Sequence, residues 1–427
     1  MSTLKNTSVY LISNIVNAAV PFLLLPILTR ELTPVDYGKV ALFQMLITGM
    51  TALIGFNVVG AASRKYYDDN MDEGLLKKFN GACLHILMSS SLIISIILLI
   101  FKIDISNYLE IDSDWIVLSI LICLSNFISN LRLGQWQVRK KAVSYGVFQV
   151  GKTVVNISFS LLLVVTFSFG GEGRVLAIFI SSALYCIIAL YYLYRDDLVD
   201  FFSWELVFLK EALYFGTPLI PHTIGLFLIG SIDRYIISQE MGFFDAGIYM
   251  VAFQISTAIA ILFDAINKAF VPWLFSKLKE NSLEENQNIV KKTYLYFMFL
   301  SMLAVVSYIL SPFIILFVIG SEYKDAQSVI GILCIGQIFG GMYLMVTNYI
   351  FYSKKTAGLS AITITCGVAN VVIMTIMVGK YGLQGAAYAF AFTKLLQFAF
   401  TWIYSSHVLP MPWFRVLIDI IKRKELS

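Results

Sequence analysis

The chain has 427 residues, 58% of them hydrophobic and only 14% charged, with a formal net charge of +4. Soluble proteins carry about 25% charged residues, so a chain this apolar, with a mean hydropathy of +0.79, cannot cover a water-facing surface and must meet lipid. The small net charge offers nothing to nucleic acid, and the sequence holds no glycine-rich phosphate loop, zinc-type Cys/His spacing or nucleophile elbow.

A membrane-spanning helix needs about 20 mostly apolar residues. Twelve such stretches are predicted, at 8–29, 39–60, 81–101, 115–134, 146–168, 175–194, 213–238, 246–272, 293–318, 327–351, 356–378 and 384–405. The first follows only Lys5 and lacks a small-residue cleavage site, so it reads as a retained anchor. Pro21 and Pro26 interrupt it and Arg30 follows its end. Polar residues then recur along single faces, since helical positions seven or eleven apart differ by only about 20° in projection. Span two carries Gln44, Thr48 and Thr51; span four Ser125, Ser129 and Arg132; span five Gln149, Lys152 and Asn156.

Span seven opens on Pro218 and Pro221, which bracket a candidate hinge next to His222, and closes on Asp233 and Arg234. Neighbours on a continuous helix point apart, so those two charges are expected to find partners elsewhere. Span eight places Asp264 four residues before Lys268, where the pair can neutralise itself, with Asn267 alongside. Gln337 and Asn348 mark span ten, and Lys394, Gln397 and Thr401 span twelve. Residues 410–427 form a basic tail that could lie as an interfacial helix. The five cysteines sit in apolar stretches and are odd in number, so they read as small buried hydrophobes and not as a disulfide framework.

Basic residues set the orientation. One set of loops and both termini hold about 20 Lys and Arg and the other set holds 6, which predicts both termini in the cytoplasm. The chain also echoes itself. At an offset of 209 residues, Glu31, Asp36 and Gly38 coincide with Glu240, Asp245 and Gly247. The expected architecture is all-α and integral to the membrane: two parallel-repeat six-helix bundles, 1–205 and 206–409, around a central cavity. A charge at mid-bilayer costs at least about 2.5–3.5 kcal/mol, so the polar stripes should face that cavity or a partner helix. Arg30, Lys152, Arg234, Lys268 and Lys394 against Asp233 and Asp264 make the interior cationic, which suits an anionic, phosphate-bearing cargo.

The segment Arg30-Glu-Leu-Thr-Pro-Val-Asp-Tyr-Gly38 resembles the R-x-L-G-P-x-x-Y/F-G signature of bacterial polysaccharide-exporting flippases, with Thr33 where glycine is usual. Asp233-Arg234-Tyr235, followed by Ala246-Gly247-Ile248-Tyr249, is similar to that family's second-half signature. The resemblance implies a Wzx-type O-antigen flippase of the multidrug/oligosaccharidyl-lipid/polysaccharide exporter superfamily. Such a protein moves undecaprenyl-pyrophosphate-linked oligosaccharide across the bacterial inner membrane by alternating access. Membrane lipids, a polysaccharide polymerase and chain-length machinery are the partners implied. Candidate substrate contacts are Arg30, Gln44, Arg132, Lys152, Asn156, Arg234, Lys268, Lys394 and Gln397, and candidate coupling groups for H+ or Na+ are Asp233, Asp264 and His222. No cofactor, bound metal or catalytic residue is expected. Two alternatives stand beside this reading. A multidrug exporter of the same superfamily would want an acidic cavity, and a membrane O-antigen polymerase or ligase would want a large outward loop. The glycan carried, the coupling ion and the oligomeric state are not written in the sequence.

Overall fold

A computed structural model describes residues 13, 14, 16, 17, 22 and 24–418, apart from 69–71, 281 and 319, and only the backbone of 312–318. Among these residues ten helical runs are long and apolar enough to cross a membrane. The chain is an all-helical, multi-pass membrane protein. Most of the first expected span, Pro21 included, lies outside the described residues; its end is helical at 24–31 and holds Pro26.

The flippase-like signature turns out to be a helix start. Helix α1 (Pro34–Leu53) has Thr33 as its N-cap. The Thr33 hydroxyl accepts from the Asp36 N–H at 3.2 Å and donates to its carboxylate at 2.8 Å. Pro34 sits in the first turn, where its missing N–H is harmless and its fixed φ favours the helix. Thr33 thus does at this position what glycine also tolerates, because both are good N-caps.

After α1 the span breaks. Ile54–Asn57 forms a short 3-10 turn in which Gly55, Phe56 and Asn57 all have positive φ (76°, 46° and 57°), before α2 (Val58–Lys65) resumes. Ser90 Oγ, on α3 (Glu73–Ile100), accepts the Gly55 N–H at 2.9 Å. The short α4 (Lys102–Leu109) links α3 to α5 (Ser113–Val138). Next come α6 (Ala142–Ser160), which loosens into a π-helical turn over Leu161–Thr166, and α7 (Gly170–Arg195). The loop that follows is pinned to α3: the Asn80 amide donates to the Leu198 carbonyl at 2.8 Å. Asp200 in this loop accepts from the N–H groups of Phe202 and Ser203, which hold its carboxyl below the usual carboxylate range.

Span seven, expected over 213–238 with a proline break near its start, is in three pieces, the second break being one the sequence did not suggest. These are α8 (Leu206–Gly216), a 3-10 turn at Thr217–Leu219 leading into α9 (Ile220–Gly230), and, after a turn, α10 (Asp233–Met241). The first break falls at Pro218, as the sequence suggests. It also meets the break after α1: a Cβ on Gly216 would lie 2.0 Å from the Phe56 carbonyl oxygen, and the Asn57 amide donates to Thr223 Oγ1 at 3.2 Å. The two interruptions therefore lie against each other, joined by a close main-chain approach and a side-chain hydrogen bond.

Helices α11 (Phe243–Glu280), α12 (Leu283–Val318) and α13 (Gln327–Tyr352) follow. The last run, α14 (Thr356–Val408), has 53 residues. At 1.5 Å per residue it would overshoot a hydrocarbon core of about 30 Å by more than twofold. It folds back at Gly382 (φ 57°, ψ −139°), a conformation reserved for glycine, so the two expected spans form a hairpin. Tyr404 accordingly reaches Lys355, donating to its carbonyl at 3.1 Å.

The chain divides into two compact units, Met1–Met250 with Ile319–Tyr323 and Val251–Val318 with Lys324–Ser427. In the first, Phe79, Phe127, Leu131, Trp136 and Phe148 anchor one apolar core, and Phe43, Trp115 and Val175 a second. Gly38 and Gly247 bring α1 and α11 into main-chain contact: a Cβ on Gly38 would lie 2.1 Å from the Phe243 carbonyl oxygen, and one on Gly247 1.9 Å from that of Pro34. In the second unit, Trp413 of the tail is buried against Tyr294, Tyr349 and Trp402. The tail from residue 419 onward lies outside the described residues.

Candidate functional site

Some of the charges read from sequence are already engaged by the protein. Arg132 is fully buried; it pairs with Asp196 and lies over the Trp136 ring, 4.0 Å from its centroid. Asp264 and Lys268 pair at 2.6 Å on one turn of α11, both half-exposed. Asp233 and Arg234, expected to seek separate partners, meet each other: Arg234 Nη1 donates to Asp233 Oδ1 at 2.8 Å. The expectation assumed a continuous helix. Asp233 instead opens a new one after the turn at 231–232, so the arginine folds back over the helix start and also reaches the Gly230 carbonyl. Both side chains are buried, with the Tyr249 hydroxyl beside the carboxylate. Arg30 is exposed, Gln44 half-buried on α1, and His222 half-buried in the first turn of α9.

Lys152 and Asn156 belong to a different arrangement. Lys152 Nζ donates to Asn126 Oδ1 on α5 at 2.7 Å. One turn on, Asn156 donates to Ser181 Oγ on α7 at 3.0 Å, and its own Oδ1 accepts from Arg174 Nη1 at 2.9 Å. Arg174 also reaches Ser160 Oγ at 2.5 Å. Arg174 falls just ahead of the span expected at 175–194, but α7 starts at Gly170, and its guanidinium turns inward against α6. The available signal was the pair of serines, Ser181 and Ser182, two turns farther along the same helix. Two cations therefore stand on α6 and α7 with amides and hydroxyls as their hydrogen-bond partners. Among the described residues neither forms an ion pair. Neutral dipoles orient a buried charge without cancelling it, so the site retains a positive potential.

In the second unit Lys394 is also without an ion pair among the described residues, and its Nζ lies 5.7 Å from the Phe390 ring centroid. One turn away Gln397 is completely buried, with Thr393 and Thr401 on the same face of α14 and equally buried. Other amides bind helix to helix: Asn348 on α13 donates to Asn267 on α11 at 2.7 Å, and Gln337 to Ser256 at 3.4 Å. Among the described residues no cluster of three His, Cys, Asp or Glu side chains could hold a metal ion.

The arrangement can do electrostatic work on an anion and offers sugars amide and hydroxyl partners. It has the fold of known carriers. A lipid II flippase, MurJ, in an inward closed conformation superposes with a TM-score of 0.72 at 13% identity, over 94% of this chain and 87% of that one. A multidrug resistance MATE family transporter of the MOP superfamily, inward-facing, gives 0.71 at 17% identity over 92% and 97%. In sequence, the chain is 27% identical to "Lsg locus putative protein 1" of Haemophilus influenzae, over 89% of this chain and 93% of that one. It is 23% identical to "Putative O-antigen transporter" of Shigella flexneri, over 95% and 98%. The profile of the polysaccharide biosynthesis protein family matches residues 3–279, well over half the chain. The chain belongs to the polysaccharide biosynthesis protein family, a membrane protein with the fold of the MOP superfamily transporters.

Proposed function

We propose that this protein is a flippase for lipid-linked oligosaccharide, carrying an undecaprenyl-pyrophosphate-linked repeat unit across the bacterial inner membrane by alternating access. Both termini face the cytoplasm in this reading, supported by the excess of Lys and Arg on their side. The observation that carries it is the pair Lys152 and Arg174, held on membrane-spanning helices, among the described residues, by neutral hydrogen-bond partners. Such charges are expensive in lipid, and they suit a phosphate that can sit against them during transfer. Asn126, Asn156, Ser160 and Ser181 supply partners of the kind that sugar hydroxyls use. The second unit adds Lys394, which forms no ion pair among the described residues and has Gln397 beside it. Family membership supports a role in polysaccharide assembly, and the relative named as an O-antigen transporter supports this class of cargo. Asp233, Asp264 and His222 stand as the groups for any ion coupling, although the two acids already hold a basic partner. A polymerase and a chain-length regulator would take the product on the far side.

Charge reversal tests the reading. Lys152→Glu with Arg174→Glu, expressed in a strain deleted for the gene, should lower surface polysaccharide at least tenfold. Lipid-linked repeat unit should accumulate on the cytoplasmic leaflet, while Lys152→Arg keeps most display. Normal display by the doubly reversed protein, present in the membrane at wild-type level, would sink the proposal. Drug export instead of glycan export would point to the multidrug alternative.

A further inference from the structure

The end of the α6–α7 pair nearest Arg195 holds a cavity of about 370 Å³, at the lower end of small-ligand sites (roughly 300–1,000 Å³). Its walls include Trp136, Tyr192, Lys141, Arg195 and Asp196, and its mouth is framed by Val143 and Val147. The two valines are 63% and 70% exposed and lie within the membrane-spanning run Ala142–Thr166, so the mouth opens toward lipid. The lining is rich in aromatic residues, Trp136, Phe148, Tyr185 and Tyr192, as expected at the depth of headgroups.

The charges at this cavity do not balance. Asp196 is the carboxylate of its wall, and both its oxygens are taken: Oδ2 by buried Arg132, and Oδ1 by the Nε and Nη2 of Arg195 at 3.2 Å each. One carboxylate thus faces two arginines. Lys141 adds a third positive charge and, among the described residues, forms no ion pair. The Arg195 guanidinium is further fixed by stacking on Tyr192, 4.7 Å from the ring centroid, so its position is prepared in advance. Lys141, just ahead of α6, and Arg195, the last residue of α7, stand at adjacent helix ends with an apolar slope beneath them. A basic pocket between membrane helices that opens onto an acyl-chain surface has the chemistry for an anionic phospholipid.

We propose that this groove is a binding site for an anionic phospholipid, its phosphate between Lys141 and Arg195 and an acyl chain along Val143 and Val147. The site does not depend on what the protein transports. It is separate from Lys152 and Arg174, so its failure and the failure of the flippase reading would show in different measurements.

The test is native mass spectrometry of the delipidated full-length protein, after addition of phosphatidylglycerol or phosphatidylcholine. The wild type should retain phosphatidylglycerol in preference. Lys141→Gln and Arg195→Gln should each weaken that retention about fivefold, the effect of one basic residue at an anionic lipid surface, while Lys141→Arg preserves it. Equal retention of the two lipids, or wild-type retention by Lys141→Gln, would overturn the proposal. Full displacement of the lipid by millimolar inorganic phosphate would also overturn it, since the site would then recognise any phosphate. Should Arg195→Gln fail to fold, the Lys141 pair of variants decides the question alone.

Discussion

Arg132 and Lys268 are both cations paired with a carboxylate, yet their surroundings give the pairs different weight. Arg132 is fully buried and depends on Asp196, whereas Lys268 and Asp264 are half-exposed neighbours on one helix. Removing one partner of a buried pair strands a charge and costs about 3–5 kcal/mol, while an exposed pair contributes about 0–1 kcal/mol. Asp196→Ala should therefore lower the midpoint of thermal unfolding of the purified protein substantially, and Asp264→Ala should barely move it. Comparable shifts would mean that burial does not govern these pairs. The sequence offered Arg132 as a substrate contact and gave no sign of its acidic partner. Asp196 lies 64 residues away, just past the end of α7, and only the packing of α5 against α7 joins them. Lys152 and Lys394 were legible as charges lacking an acid on their own helical face. Arg174 was not, because a shift of a few residues in the start of α7 turns an assumed loop residue into an inward-facing one.

At the scale of the helix, length and apolarity were enough to locate nearly every span, and proline marked the break at Pro218. The break at Ile54–Asn57 left almost no trace, since a single glycine in an apolar run predicts a weakened helix and not an interruption. What fixes it is a distant acceptor, Ser90, and a distant backbone, Gly216. The cap on α1 offers a quantitative check on the signature that begins it. Thr33→Ala should cost about 1 kcal/mol of stability and Thr33→Gly only a few tenths, read from unfolding of the purified protein. If both substitutions cost the same, the hydroxyl is not acting as a cap. The fold at Gly382 belongs to this scale too: the spans expected at 356–378 and 384–405 part there, and the glycine makes the reversal sterically feasible.

For the molecule as a whole, the repeated residues gain a physical meaning that alignment of the chain with itself did not contain. Gly38 and Gly247 are equivalent in the 209-residue offset, and both serve one close approach of α1 to α11. Gly38→Ala and Gly247→Ala should each reduce the amount of folded protein recovered from membranes, by severalfold, through overpacking that costs about 1–3 kcal/mol. Wild-type recovery of either variant would show that the two helices do not need this close approach to fold. Because each added methyl would collide with a carbonyl oxygen of the opposite helix, and not with the other methyl, trimming a neighbouring side chain can relieve neither collision. The two positions are thus locked independently, each by main chain that mutation cannot remove. Second-site suppressors of a change at either glycine should consequently arise only where helix backbones can be moved, and not among the side chains lining the contact.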